Sequence, residues 1–592
     1  MSDSHSEGMQ STPDRGPSRS IQTGPGPGHA PHVPAPVAAR RFGAGVNWGA
    51  VVLALLAAGA CMGFSYWMSR PVPAEQPAPR TSLKLPKDKG LFKGWPKPDL
   101  VLVLSADEQG YLNPCGCSDP QYGGLERRYN FIQILRDQGW PVVALDLGNV
   151  AQKKAPVEHL TNVQQLIKYR YSMLALKAMD YAAVGVGPIE ADNLFKFYGE
   201  FALQQNPGER PVVLSANLRD REKSFQPGIE DWTEATAKGS DIKVGVTSVF
   251  GAFLGENRPK GDPTRFDFAG DRLKALHGKK ADFRVLLYEG FTNVGDAKKQ
   301  KSEAYGCAEA FPEYQVVVAM ESDEPSAAPI LVQHKGGGRT MILTLGHKGK
   351  SVGVVGVYKV PKKEGAYELR YQVVELGPEY KTPEKEEKDH PVMKLLEDYT
   401  AELKSADYLH KYAQRKHPTQ VDFPGKDKPV YMGNDPAGKN DACMACHPDA
   451  FKVWKSSDHA KAYLTLVNKA KRPSNRQFDP ECIVCHTVGF AYEDGFEDVQ
   501  KTPLLTNVGC ESCHGPCSEH VLNPNDKAWH KVINPWKYMP KSANPRQKME
   551  DMCITCHDHE NDVNWKGANA FDKKWEFVKH YKPKKEPPPK DK

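Results

Sequence analysis

Four copies of Cys-x-x-Cys-His fall between Cys443 and His557, at Cys443–Cys446–His447, Cys482–Cys485–His486, Cys510–Cys513–His514 and Cys553–Cys556–His557. No other feature narrows the possible folds as much. Two thiols at this spacing add across the two vinyl groups of one haem, and the adjoining imidazole reaches its iron. Zinc sites also use Cys-x-x-Cys, but they do not require histidine directly after the second cysteine four times over. Eight of the 13 cysteines are thereby assigned to haem attachment, which removes a disulfide framework from consideration. Four porphyrins in so short a segment must supply much of its apolar interior. A mainly α multihaem domain, with neighbouring macrocycles in near contact, is expected over residues 431–580.

The chain of 592 residues is too long for one hydrophobic core. Its net charge of +6 gives no reason to expect a nucleic-acid partner. Residues 1–44, rich in Gly, Pro and Ser, read as a disordered cytoplasmic tail. Arg40 and Arg41 then precede an apolar run containing VVLALLAAGACMGF. Its length matches a bilayer and the arginines favour an inside N-terminus, so residues 45–68 are expected to be a transmembrane helix. That makes the protein single-pass in the inner membrane, N-terminus cytoplasmic, with most of the chain periplasmic, a compartment that suits haem ligation. A cleaved signal peptide is the competing reading, and the long preceding tail argues against it. Cys61 lacks a clean lipobox and reads as a membrane cysteine.

Residues 69–98 alternate Pro and Lys and read as a stiff exposed linker. From Asp99 to residue 378 the texture is α/β. Strands are expected at 100–104, 142–146, 181–184, 212–215, 243–249, 283–288, 315–319, 330–333 and 340–345, with helices at 125–138 and 160–179. Strands without polar alternation, separated by helices, imply a sheet covered on both faces. A linker with one amphipathic helix near 392–412 should fill 379–430, and 581–592 should be a disordered tail.

Each haem iron also needs a second axial ligand or an open position. The histidines available are His459, His520, His530, His559 and His580, with Met539, Met549 and Met552 as thioether alternatives. An iron without a sixth ligand would bind a small molecule such as nitrite, NO or hydroxylamine. The stretches NDACMACHPDAFKVWKSSDHAKAY, ECIVCHTVGF and NVGCESCHGPCSEH resemble the tetrahaem cytochrome c-554 family over about 430–560. That resemblance implies periplasmic electron transfer, best known beside hydroxylamine oxidation. It implies His459 as ligand to the third haem and His520 to the first. It leaves the second iron, at His486, five-coordinate, and the fourth distal ligand falls to His580 or His559. Cys517 stands where that family commonly has Gly.

In the middle domain Asp107, Asn149, Glu190, Asn217 and His347 follow strands, where α/β folds place sites and where turn formers are also ordinary. The segments VLSADEQG, GGLERR, VALDLGN, YAAVGVGPIE, VVLSANL and GHKGKSVG resemble the four-layer metallophosphatase domain of the 5'-nucleotidase family. Such enzymes activate water with two metal ions. Here the implied ligand set is damaged. Asp107 is retained, Gln109 replaces a histidine, Asn149 replaces the bridging aspartate, and the later histidine segments read LYEG and AMESDEP. No dinuclear metal centre and no phosphatase activity are therefore expected, with Asn217 and His347 as further vestigial positions. Cys115 and Cys117 flank one glycine in a turn-rich loop. With Cys307 they form a candidate thiol or metal site, against a plain structural role. Arg127 and Arg128 begin a helix and are candidate anion contacts.

The chain is thus expected to be a membrane-tethered cytochrome passing electrons between redox protein partners, in a quinol-linked or hydroxylamine-oxidising system. One rival is a haem enzyme acting on a small nitrogen or sulfur compound. The other is a metal-dependent phosphoesterase fused to a cytochrome.

Overall fold

The computed structural model describes residues 81–114, 120–206, 208–220, 223–226, 228–252, 254, 265–291, 303–320, 324–423, 428–439, 441–558, 562–565, 567 and 569–580. The expected membrane helix, the N-terminal tail, Cys115, Cys117, His559 and the 581–592 tail lie outside them. Among the described residues, no helix is long and apolar enough to cross a membrane.

Two sheets carry the middle domain. The first has seven strands in the order β13-β12-β1-β2-β3-β4-β5. It comprises β1 (Leu100–Ser105), β2 (Val142–Asp146), β3 (Tyr181–Gly185), β4 (Val212–Leu214), β5 (Ile229–Glu230), β12 (Ser351–Lys359) and β13 (Tyr367–Glu375). Strands β1 to β5 run parallel, and β12 and β13 add an antiparallel edge. The second sheet has six strands in the order β10-β11-β9-β8-β7-β6. These are β6 (Thr233–Ala235), β7 (Val244–Phe250), β8 (Phe283–Phe291), β9 (Val316–Met320), β10 (Ile330–Gln333) and β11 (Arg339–Leu343).

Leu100, Leu102 and Leu104 of β1 meet Val244, Val246, Val285 and Leu287 of the second sheet in one buried core. On the outer face of the first sheet lie α1 (Leu125–Asp137), α2 (Gln165–Ala178) and α3 (Pro391–Ser405). Helices Ala269–Leu276 and Glu303–Ala310 cover the second sheet. Helix, sheet, sheet, helix is the four-layer arrangement expected, and it explains why both faces of the central strands are apolar.

Four expectations change. Strands β12 and β13 extend the domain's first sheet beyond the last strand foreseen. Glycines 353 and 356 interrupt the apolar pattern of β12, because a Cβ there would lie 2.5 Å from Leu345 and 2.7 Å from Trp95. The 69–98 segment is not an exposed tether over its described part: Phe92 is buried, and Trp95 stacks on Trp140 at 6.3 Å. Helix α2 starts at Gln165 rather than 160, since residues before it leave the helix axis to pack elsewhere. Helix α3, foreseen near 392–412, is shorter at its C-terminal end and packs on the middle domain. His390 caps it by accepting from the Met393 N–H, and Val392, Leu396, Tyr399 and Leu403 are buried in the middle-domain core. It ends at Ser405, and Asp407 turns the chain with φ 52°.

The C-terminal module consists of short helices with little apolar interior. Its main cluster contains Tyr463, Leu466, Ile483, Val484, Val488 and Phe490. Ala155, Val157 and Leu160, from the loop before α2, belong to that same cluster. The middle domain therefore contributes part of the module's core.

Candidate haem sites and the middle-domain pocket

Three of the attachment motifs sit on helices: α4 (Ala442–Cys446), α5 (Pro480–His486) and α6 (Glu511–His514); the fourth straddles the end of α7 (Pro545–Ile554). Asp441, Asp479 and Asn544 cap α4, α5 and α7 by accepting backbone N–H bonds from Met444, Glu481 and Gln547. Helices α4 and α7 bury none of their own residues. Short helices of that kind are not stable alone and require an apolar partner to pack on. Among the described residues no motif cysteine is in a disulfide, and Cys446 and Cys513 are exposed.

Thiols of different motifs adjoin. Cys443 hydrogen-bonds with Cys510, Cys556 with Cys485, and Cys513 faces Cys553 and Cys556. The motifs thereby form a series in space: first, third, fourth, second.

Three motif histidines are aimed by their Nδ1 atoms. His486 bonds the Ala462 carbonyl at 2.7 Å, His514 the Ile533 carbonyl at 2.7 Å, and His557 the Asp562 carboxylate at 3.0 Å. This leaves Nε2 as the free ligating nitrogen. Three motif histidines face a second imidazole. His447 faces His520 at 6.2 Å between ring centroids, His514 faces His580 at 6.2 Å, and His557 faces His459 at 6.0 Å. An iron bonded to two imidazoles at about 2 Å each, with roughly 1 Å from nitrogen to ring centre, requires about 6 Å. The residues fit haem at these positions. His486 forms no such pair with any described histidine. His530 instead bonds the Pro524 carbonyl at 2.7 Å.

Burial lowers the pKa values of His486 and His514, and burial with His557 brings His459 down to about 4, so these rings are in the neutral form that binds metal. The resemblance assigned His459 to the third motif and His580 or His559 to the fourth. The structure exchanges them: His459 lies against the fourth and His580 against the third. His520 lies against the first.

Sequence reasoning missed Glu511, inside the third motif. Its carboxylate accepts N–H bonds from Met432, Gly433 and Cys517, and burial still raises it to about 7. Cys517 is buried, and its thiol donates to the Gly515 carbonyl at 3.1 Å. Burial first, then Glu511, pushes that thiol well above its usual value. Its role there is that of a small buried group in a tight turn.

In the middle domain Asp107, Asn149, Glu190 and Glu289 converge, with His347 beside Asp107, at the strand ends. Asp107, Gln109 and Asn149 take left-handed φ angles of 51°, 51° and 54°, the concentrated strain typical of sites. Gln109 donates to Asp107 at 2.8 Å, and Asn149 accepts from the Ile189 N–H at 3.0 Å. Glu190 accepts N–H bonds from Asn149, Ala151 and Gly187, yet burial raises it to about 7. Glu289 is fully buried with both oxygens unpartnered. Burial, then Glu190, Asp107 and Asp146, hold it well above the carboxylate range. Gly148 leaves room for it: a Cβ there would lie 2.5 Å from its Oε1.

The strongest local charge is internal. Arg128, fully buried, is ion-paired with Glu108 and lies 3.8 Å from Asp146. Burial works against its charge, but Glu108, Tyr181 and Asp146 outweigh it and hold the guanidinium protonated. Arg128 is thus no contact for an outside anion. Arg127 donates to the carbonyls of Gln121 and Leu376. Asn217 spends its amide on the Phe250 backbone and the Asp267 carbonyl, a purely structural use. Cys307 is half-buried in the outer layer, and burial pushes its thiol up to about 12, which makes it unreactive at neutral pH. Among the described residues, no group of three or more His, Cys, Asp or Glu side chains is arranged to hold a metal ion.

Vinyl-spaced thiols, aimed imidazoles and helices with little apolar interior define a c-type multihaem cytochrome. Residues 442–515 match the family model described as cytochrome c554 and c-prime. That match lies within the C-terminal module. Cytochrome c-554 of Nitrosomonas europaea is 30% identical over 142 residues, covering 22% of this chain and 60% of that protein. The multiheme cytochrome MtrA of Shewanella baltica is 29% identical over 94 residues, covering 15% of this chain and 26% of that protein. The chain thus spans less than two thirds of either relative. Over the middle domain it is similar to a 5'-nucleotidase precursor from Thermus thermophilus, at TM-score 0.39 and 21% identity, covering 52% of this chain and 59% of that one.

Proposed function

We propose that this chain is a membrane-anchored periplasmic cytochrome that passes electrons between redox protein partners through four c-type haems. The observation that carries the reading is the pairing of three motif histidines with second imidazoles at a separation suited to one iron. When bound, haem supplies an iron that takes up and releases one electron. The chain does the rest. Eight thiols hold the rings, and Ala462, Ile533 and Asp562 orient the proximal imidazoles. His520, His580 and His459 would be the further ligands to the irons at the first, third and fourth motifs. The four motifs lie beside one another in the order first, third, fourth, second, as a relay requires. The anchor is the apolar run at 45–68, and partners of the quinol-linked or hydroxylamine-oxidising kind fit the periplasmic address.

A second reading is supported by His486, which has no described histidine opposite it. An open iron there would bind NO, nitrite or hydroxylamine and make the protein an enzyme. Haemochrome quantitation should give four haems per chain. Electron paramagnetic resonance should give three low-spin irons and one high-spin iron. Irons that keep one oxidation state between about −400 and +400 mV would overturn the relay. Turnover of a nitrogen compound by the high-spin iron would favour the enzyme.

A further inference from the structure

We propose that the middle domain sets the potential of the second haem through Lys168, whose ammonium holds Glu481, the residue directly before Cys482. This rests on haem attachment at Cys482 and Cys485, as proposed above.

Both oxygens of the Glu481 carboxylate are held by the middle domain. Lys168 Nζ lies 2.6 Å from Oε2, and Gln152 Nε2 donates to Oε1 at 2.6 Å. The ion pair is largely shielded, with side chains 11% and 14% exposed. Beside it Gln164 donates to Asp479 at 3.0 Å and to the Tyr399 hydroxyl at 2.8 Å, and accepts from Tyr412 at 2.8 Å. The loop between Gln152 and Lys168 also inserts Ala155, Val157 and Leu160 into the core around Ile483 and Val484, against which Cys482 and Cys485 pack. The middle domain is therefore built into the surroundings of this one motif.

Charges at this motif are balanced in two pairs. Arg476 lies against Cys482 and Asp479 within the cytochrome module. Lys168 and Glu481 form the second pair, and it spans the two domains. Where water is largely excluded, a lone charge acts strongly and salt screens it little. A carboxylate stripped of its cation favours the ferric iron, and a cation stripped of its carboxylate favours the ferrous iron. Lys168 is thus a positioning and charge-setting residue that acts through Glu481. It does not contact the reacting atoms.

The test is a spectroelectrochemical titration of the full-length holoprotein that follows the high-spin haem. K168M should move its midpoint down and E481Q should move it up. The K168M/E481Q double variant should return toward the wild-type value, and K168R should keep it. The other three midpoints should stay in place. A purely packing role would move both single variants in one direction and the double variant further. That result, or unmoved midpoints in both, overturns the proposal. C482S/C485S separates the two layers of the argument. A haem count that fails to fall by one refutes the attachment and the tuning together. A count that falls by one, with unmoved midpoints in K168M and E481Q, refutes the tuning alone.

Discussion

Replacing Arg128 by Met removes the cation from between Glu108 and Asp146, all three being at most 1% exposed. Removing one partner of a buried ion pair costs about 3–5 kcal/mol, because the other charge is left uncompensated. Here two carboxylates are left, which places the loss at the upper end. Protonation sets a ceiling: neutralising each carboxyl of ordinary pKa near 4 at pH 7 costs roughly 4 kcal/mol, or about 8 kcal/mol for the two. A loss of about 4–5 kcal/mol is therefore expected, against a typical domain stability of about 5–15 kcal/mol. Burial already raises the pKa values of Glu108 and Asp146, even with Arg128 in place. Groups raised on folding favour the folded state fully below their unfolded pKa, and that favour is lost as pH rises. The deficit of R128M should thus be smallest near pH 4 and grow toward pH 8. Urea unfolding followed by circular dichroism across that range measures it. R128M/E108Q/D146N should recover most of the stability, since no buried charge is then left over. A deficit under about 0.5 kcal/mol at pH 7, or one that is flat with pH, would refute the assignment of this triad as a compensated charge cluster.

The remaining outcomes follow from burial and ligation. Glu190, raised to about 7, should make the wild-type protein lose roughly 3 kcal/mol of stability between pH 4.5 and pH 7 and above, and E190Q should flatten that slope in urea titrations. Leu160→Ala should cost about 2–5 kcal/mol, because this middle-domain leucine is buried in the cytochrome core, and should loosen the two parts together in hydrogen exchange. His520→Ala, His580→Ala and His459→Ala should each convert one low-spin iron to high spin, at the first, third and fourth motifs respectively. A variant that leaves the spin count unchanged removes that residue from the ligand set.

Much of the haem chemistry was legible because it is local. A five-residue pattern places both thiols and one imidazole on one haem, whatever the rest of the chain does. The central strands were legible for a related reason: an apolar run without alternation can only sit between two layers. Gln109 and Asn149 stood out as residue types, and the structure gives them and Asp107 left-handed backbone angles.

What only the tertiary structure decided depends on residues far apart in the chain. No local pattern says that His459 meets His557 or that His580 meets His514, because each pairing is set by how short helices stack. Nor does sequence show that Arg128 turns inward to Glu108 and Asp146, since an arginine at a helix start is usually exposed. Leu160 sits in a stretch that reads as helix, yet apolar contact with Ile483 and Val484 outweighs one turn of backbone hydrogen bonds. The sequence alone points to where haem would be attached. Which side chains complete and tune each site was settled by packing, because contacts across more than 300 positions of chain, as between Lys168 and Glu481, leave no periodicity to read.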